Sequence, residues 1–239
     1  MGNRMYRKEV NKRSPMRVFE RSIHGGLGPG NIGVVMARHG VGKTAFLVGL
    51  ALDDLMRDRK VLHVDTKNPA ERVREFYDEV FHELAETSAL ADKMTTQLQI
   101  ERNRMIHTFV GDGLSMERVR GALGYMREHM DFVPSAIILD GYPDWETVTE
   151  EQIVELKKLA SDVGCELWLS AFTHREGQKK DERGVPEEVA KFDGQLSVLL
   201  ELRPEGNHVK LQLLKDHDNS NLADLHIELE PNTLLLAWH

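Results

Sequence analysis

The stretch of sequence that decides the fold is "ARHGVGKT", residues 37–44. An apolar segment, "NIGVVM" (31–36), precedes it, and a longer one, "AFLVGLALDDLM" (45–56), follows it. Apolar runs of these lengths predict a buried strand before the loop and a helix after it. A Gly-Lys-Thr triplet between a strand and a helix is typical of the end of a phosphate-binding P-loop, although Ala37 replaces the first glycine of that pattern. The alternative is a glycine-containing helix N-terminus with an incidental lysine.

A loop of this kind is expected to hold phosphate through its backbone N–H groups, at the positive end of the helix that follows. The ammonium of Lys43 would reach between the β- and γ-phosphates of a nucleotide, and the hydroxyl of Thr44 would bind Mg²⁺. The predicted nucleotide-binding residues are His39, Gly40, Val41, Gly42, Lys43, Thr44 and Ala45.

A second candidate site residue ends the apolar segment "SAIILD", residues 135–140. In P-loop proteins a carboxylate at the end of a neighbouring strand helps to order Mg²⁺. We therefore predict that Asp140 completes a metal site with Thr44. The alternative is that Asp140-Gly141 only marks a turn.

Short apolar runs alternate with helical patterns up to about residue 172. The predicted strands are 32–37, 60–65, 106–111, 135–140 and 166–172. The predicted helices are 43–57, 69–85 with a continuation to about 104, 115–130 and 149–163. Four further apolar segments follow with only turns between them: 195–202, 208–214, 224–230 and 233–238. This order predicts an α/β fold with a mainly parallel sheet flanked by helices and antiparallel strands at its C-terminal edge.

Composition narrows the class of protein. A chain of 239 residues is long enough for one α/β domain with a sizeable core. No apolar run approaches the roughly 20 residues that span a membrane, and the N-terminus has no apolar segment of a secretory signal. The single cysteine, Cys165, leaves no internal disulfide, so we expect a cytoplasmic protein that does not contact membranes.

Charge is distributed unevenly along the chain. The net charge is −8, of which residues 1–21 contribute +5 and the remainder −13. We expect a basic, flexible arm over residues 1–17 and a single domain over residues 18–239. The alternative for the arm is contact with phosphate backbones or with an acidic partner.

The two site motifs and their surroundings resemble the RecA-like ATPases, in particular the branch of DnaB-type helicases and KaiC-like proteins. The resembling stretches are "GGLGPGNIGVVMARHGVGKTAF" (25–46), "EQIVELKKLASDVGCELWLSAFTHRE" (151–176) and "HVKLQLLKDHDNSNLADLHIEL" (208–229). The resemblance runs from about residue 18 to the end. It implies a RecA-like three-layer core, binding of Mg²⁺ with ATP or ADP, and a homo-oligomer in which nucleotide lies between subunits.

The resemblance also exposes three departures in the parts that break the phosphate bond. The position of the glutamate that activates water falls on Lys67, and a protonated lysine has no lone pair with which to act as a base. The position of a phosphate-sensing glutamine falls on Ala171, and that of an arginine that reaches a neighbouring subunit falls on His217. Asp65, two residues before Lys67, is the candidate for a substitute base, and Lys215 is the retained cation that would act in trans.

Three hypotheses follow. The first is a protein that binds Mg-ATP, hydrolyses it weakly or not at all, and acts as a nucleotide-dependent switch or assembly module. The second is an active ATPase that works on nucleic acid, with Asp65 as base and Lys215 in trans; the acidic body of the chain disfavours it. The third is a structural protein that binds a partner and carries a vestigial P-loop. Tyr142 and Trp145 lie among acidic residues, which favours contact with a protein partner or a nucleotide edge over nucleic acid.

Overall fold

A computed structural model describes residues 5–109, 114–174 and 177–238 of the chain. Residues 110–111 of the predicted strand 106–111 and residues 1–4 of the predicted arm lie outside the described residues.

The strands of the described residues form a single mixed sheet. They are β1 (Ile32–Ala37), β2 (Val61–Asp65), β3 (Arg104–Thr108), β4 (Ala136–Asp140), β5 (Glu166–Phe172), β6 (Val198–Glu205), β7 (His208–Asp216), β8 (Ile227–Leu229) and β9 (Leu236–Trp238). Their order across the sheet is β3-β2-β4-β5-β1-β6-β7-β8-β9. Pairings from β3 across to β6 are parallel, and those from β6 to β9 are antiparallel. The predicted α/β fold with antiparallel strands at the C-terminal edge is confirmed.

Helices cover both faces of this sheet. They are α1 (Arg7–Lys12), α2 (Pro15–Ser22), α3 (Lys43–Leu55), α4 (Ala70–Thr87), α5 (Lys93–Asn103), α6 (Met116–Met130), α7 (Glu150–Val163) and α8 (Glu187–Ala190). Side chains of β1 alternate between two cores: Val35 packs with residues of α3 and α4, and Val34 packs with residues of α6 and α7. Strands β1, β2 and β4 are buried along their whole length, as expected of parallel strands covered on both faces.

The long predicted helix 69–104 is two helices in the structure, α4 and α5. Ser88 caps the end of α4, and Ala89 follows it in a left-handed conformation with φ of 49°. The apolar pattern continues across this break, which is why the sequence predicted one continuous helix.

The described part of the N-terminal segment, from residue 5, differs from the predicted flexible arm over 1–17. Apolar side chains of α1 and α2, Val10, Met16 and Phe19, are buried in the core that α3 and α4 share. Ser14 caps α2 by accepting a hydrogen bond from the backbone of Met16. The sequence interpretation followed the charges of this segment and missed its apolar spacing.

A buried charge cluster fixes α2 against α3. The carboxylate of Asp53 pairs with Arg17 and lies 3.0 Å from Arg57, which also reaches Glu20 at 2.8 Å. Asn11 of α1 donates a hydrogen bond to the backbone carbonyl of Asp53 at 3.0 Å. The N-terminal helices are therefore tied to the helix that follows the phosphate loop.

None of the helices in the described ranges is both long enough and apolar enough to cross a membrane.

The pH dependence of stability tests the Asp53 cluster. Burial raises the pKa of Asp53 from 3.8 to about 6, and the charges of Arg17 and Arg57 offset only part of that effect. Because the folded pKa lies above the unfolded one, this contribution to stability is complete below about pH 4 and is lost as the pH rises through about 6. We expect the free energy of unfolding of the native protein to fall relative to Asp53→Asn by up to about 3 kcal/mol over that window.

Urea unfolding between about pH 4 and 7 measures this difference, with Asp58→Asn as the control because Asp58 is an exposed partner of Arg7. Parallel stability curves for the native protein and Asp53→Asn would contradict it.

Candidate phosphate-binding site

Most of the predicted site residues, among them Lys43, Thr44, Asp65 and Asp140, meet at one edge of the sheet. The carboxyl ends of β1, β2, β4 and β5 open there into a cleft of about 460 Å³. Its lining comes from the loops after these strands, from the start of α3 and from two outlying residues, Phe76 and Leu234. Ligands of open parallel sheets bind outside the carboxyl ends of the strands, so the position suits a binding site.

The loop between β1 and α3 needs its glycines. Gly40 and Gly42 have φ of 77° and 108°, a region that side chains other than glycine rarely adopt. A Cβ atom at Gly42 would lie 2.5 Å from Cδ2 of Leu229, a residue of β8. Ala37, by contrast, is the last residue of β1 and pairs with Phe172, so the replacement of the first pattern glycine is accommodated within a strand.

Backbone N–H groups of this loop are left without partners. Within the described residues, none of the following donates a hydrogen bond from its backbone nitrogen: His39, Gly40, Gly42, Lys43, Thr44 and Ala45. The first turn of a helix leaves such donors free, and the helix dipole places partial positive charge there. Six of the seven predicted nucleotide-binding residues thus present free donors; Val41 is the exception, since it donates to the carbonyl of Arg38 at 3.3 Å.

Asp140 brings the two halves of the predicted metal site together. One oxygen accepts a hydrogen bond of 2.7 Å from the hydroxyl of Thr44, and the other lies 3.4 Å from the ammonium of Lys43. Oxygen ligands such as this hydroxyl and carboxylate are those that Mg²⁺ prefers, so the donor set fits that ion.

Burial of this ion pair shifts both of its pKa values. Desolvation lowers the pKa of Lys43, against the opposing attraction of Asp140. For Asp140, burial by itself would raise the pKa, but the charge of Lys43 and the hydrogen bond from Thr44 together lower it. The carboxylate is therefore held in its charged form.

Asp65, the predicted substitute base, is fully buried and holds a turn. Its Oδ1 accepts the backbone N–H groups of Lys67 and Asn68 at 2.6 and 2.7 Å, and its Oδ2 accepts the side-chain amide of Asn68 at 2.9 Å. Because the side chain organises the loop after β2, its oxygens are engaged in this structure.

His63, Asp65 and Asp140 also bring possible ligand atoms within 4.8 Å of one another. The imidazole Nδ1 lies 3.0 Å from the hydroxyl of Tyr77, and Nε2 has no hydrogen-bond partner in the described part of the chain. Burial lowers the pKa of His63, which keeps the ring neutral. The carboxylates are already paired with Lys43, Thr44 and the loop, so this cluster is a buried polar network beneath the cleft.

Sequence reasoning missed Phe172, the last residue of β5. The ammonium groups of Lys43 and Lys67 each lie 4.0 Å from the centre of its ring, and the ring of His39 stacks on it with centroids 6.1 Å apart. Parallel pairing of β5 with β1 brings the ring to the loop. The sequence did hold one indication: Phe172 ends a strand that was predicted to be parallel, and the carboxyl ends of parallel strands meet at the edge where ligands bind.

Other residues singled out from the sequence lie elsewhere. Lys215 donates to the carbonyl and carboxylate of Asp193 at 2.6 and 2.8 Å, and its role in a neighbouring subunit stays a prediction. His217 contacts the carboxylate of Asp216. Trp145 is buried and donates to the carbonyl of Ser170 at 2.8 Å, and its contact with a partner or a nucleotide stays a prediction.

No protein-family model matches the chain, and no curated protein matches it significantly.

Stability measurements test the ion pair beneath the loop. Asp140→Asn leaves the buried ammonium of Lys43 without its counterion, and breaking a buried pair in this way costs about 3 kcal/mol or more. Asp162→Asn is the control: Asp162 pairs with Lys158 and Arg120 at the surface, where water screens the charges and the loss is much smaller.

The loss of stability in Asp140→Asn should also depend on pH. Because the folded pKa of Asp140 is lowered, its contribution to stability is present above the unfolded value of 3.8 and is lost as the pH falls below it. Chemical unfolding at neutral and acid pH should show the deficit of Asp140→Asn shrinking on acidification. Equal losses for the two variants at neutral pH would contradict the assignment.

Proposed function

We propose that the protein is a RecA-like P-loop protein that binds Mg-ATP, hydrolyses it weakly or not at all, and acts as a nucleotide-dependent switch or assembly module. The observation that carries the proposal is the set of free backbone donors of His39, Gly40 and residues 42–45, next to the ammonium of Lys43. This is the arrangement in which a helix N-terminus binds phosphate.

The fold supports the proposal at a coarse level. The sheet has parallel strands between helices and antiparallel strands at its C-terminal edge, which is the architecture that the resemblance to RecA-like ATPases implies. The phosphate loop follows β1 and the metal-binding candidate Asp140 ends β4, so both reach the same edge of the sheet.

The side chains supply what Mg-ATP requires. Lys43 brings a positive charge, and the contact between Thr44 of α3 and Asp140 of β4 brings two oxygen ligands together. The cleft of about 460 Å³ is large enough for a ligand of nucleotide size.

Weak hydrolysis follows from what the cleft lacks. The side chain at the position of the expected base is Lys67, which cannot accept a proton from water while it is charged. Asp65 is buried and uses its oxygens to hold the loop. Among the described residues that line the cleft, no carboxylate other than Asp65 and Asp140 is present, and Asp140 is committed to Lys43 and Thr44.

Calorimetry with Mg-ATP and steady-state phosphate release, on one preparation, test the proposal. We expect saturable binding with negligible turnover. Lys43→Ala should weaken binding at least about tenfold, since a charged hydrogen bond contributes about 1.5–3 kcal/mol. Lys158→Ala is the control, because this lysine is exposed on α7 and pairs with Asp162.

A second variant separates the loss of a contact from a loss of folding. Thr44→Val keeps the shape of the side chain and removes only the hydroxyl that donates to Asp140. It should reduce affinity in the presence of Mg²⁺ and leave binding in a chelator nearly unchanged. Absence of nucleotide binding by the native protein, or unchanged affinity in a folded Lys43→Ala variant, would overturn the proposal. Brisk turnover by the native protein would overturn its hydrolytic part.

A further inference from the structure

Lys67 stands where the phosphate cleft meets a second cavity. Lys67, Gly141 and Phe172 line both the cleft and an adjoining cavity of about 400 Å³. The side chain of Lys67 is exposed, so a ligand in the cleft can reach it.

The conformation of Lys67 is set by packing on both ends of the side chain. Its backbone N–H donates to Asp65 at 2.6 Å, which fixes the start of the side chain. A Cβ atom at Gly141 would lie 3.1 Å from Cγ and 3.2 Å from Cε of Lys67, so the aliphatic stem passes close over this glycine. The ammonium then lies 4.0 Å from the centre of the Phe172 ring. A flexible lysine is thereby directed into the cleft before any ligand binds.

Two ammonium groups therefore share one aromatic ring. Lys43 lies at the same 4.0 Å from the centre of Phe172, and the positive charge of Lys67 contributes to the lowered pKa of Lys43, after burial and against the attraction of Asp140. Repulsion between these like charges is unfavourable in the free protein and is relieved when an anion enters the cleft.

The two lysines differ in their counterions. The ammonium of Lys43 lies 3.4 Å from Asp140. Among the described residues, Lys67 forms no ion pair with a carboxylate, and the adjoining carboxylate of Asp65 bonds to backbone and amide N–H groups instead. Its charge is therefore available to a ligand.

We infer that Lys67 binds the terminal phosphate of a nucleoside triphosphate and makes the cleft selective for triphosphates over diphosphates. The inference rests on the proposed function and assigns a specificity role to the residue that replaces the base. A charge-assisted contact with the last phosphate is made by ATP and is not available to ADP. The same substitution that removes hydrolysis thus supplies recognition of the unhydrolysed ligand.

The test compares ATP and ADP affinities by calorimetry for the native protein and Lys67→Gln, at fixed ionic strength, with Mg²⁺ and in a chelator. We expect the native protein to bind ATP about tenfold or more tightly than ADP. Lys67→Gln should lose about tenfold in ATP affinity and change ADP affinity by less than about twofold, so that the preference for ATP falls by at least about fivefold. Lys67→Arg keeps the charge and should keep the preference.

Lys191→Gln is the matched control, because Lys191 also lies over an aromatic ring, that of Phe192 at 4.8 Å, but does not line the cleft. It should leave both affinities unchanged. Equal losses of ATP and ADP affinity in Lys67→Gln, or an undiminished preference for ATP, would overturn the inference while leaving the proposed function intact. Failure of the native protein to bind either nucleotide would overturn both.

Discussion

The buried contact of Asp140 with Lys43 and Thr44 joins the two parts of the cleft. It ties the first turn of α3, which follows β1, to the end of β4, although β5 lies between β1 and β4 in the sheet. A buried carboxylate and a buried ammonium each require a partner, because removing either from water unpaired costs several kcal/mol. The loop after β1 must therefore pack onto the end of β4, and that packing leaves its backbone N–H groups facing the cleft.

Charge balance then decides what the cleft can do. Asp65 and Asp140 are both buried and both engaged, while Lys67 is exposed and directed by Phe172 and Gly141. A glutamate at position 67 would add a negative charge beside a polyphosphate and accept protons from water. A lysine there would attract the same polyphosphate, and it accepts no proton while it is charged. Phosphate binding is therefore favoured by a positive side chain at position 67, whereas hydrolysis requires a side chain there that can accept a proton.

Local patterns in the sequence were sufficient to predict most strands of the sheet and the loop between β1 and α3. Strands β1, β2, β4 and β5 are mainly apolar runs, and their predicted ends lie within one residue of those in the structure. Their parallel pairing follows from the intervening helices, which is why Asp140 was assigned correctly to the edge where the loop lies. The predicted strand over 106–111 begins earlier, at Arg104, since α5 passes directly into β3 there.

What the sequence could not predict depends on contacts between distant segments. The approach of Leu229 to Gly42 requires the order of the antiparallel strands, and the stacking around Phe172 requires the register of β5 against β1. Trp145 looked like a surface aromatic because its neighbours are acidic, but its ring packs near Phe192, 47 residues further along the chain. Sequence patterns report which residues are close along the chain, whereas the positions of these side chains depend on residues that are distant in sequence and close in space.

A protein that binds a nucleotide without breaking it has only the free energy of binding to use. That free energy grows as RT ln(1 + [L]/Kd), about 4 kcal/mol when the ligand exceeds Kd by a thousandfold. This free energy shifts an equilibrium between two conformations of the protein only by the difference between the ligand's affinities for them. Under the proposed function, the groups that would distinguish a filled cleft from an empty one are the two ammonium groups on Phe172 and the loop that Asp65 holds at the start of α4. Such a switch resets when the ligand dissociates, so its direction would follow nucleotide concentration rather than turnover.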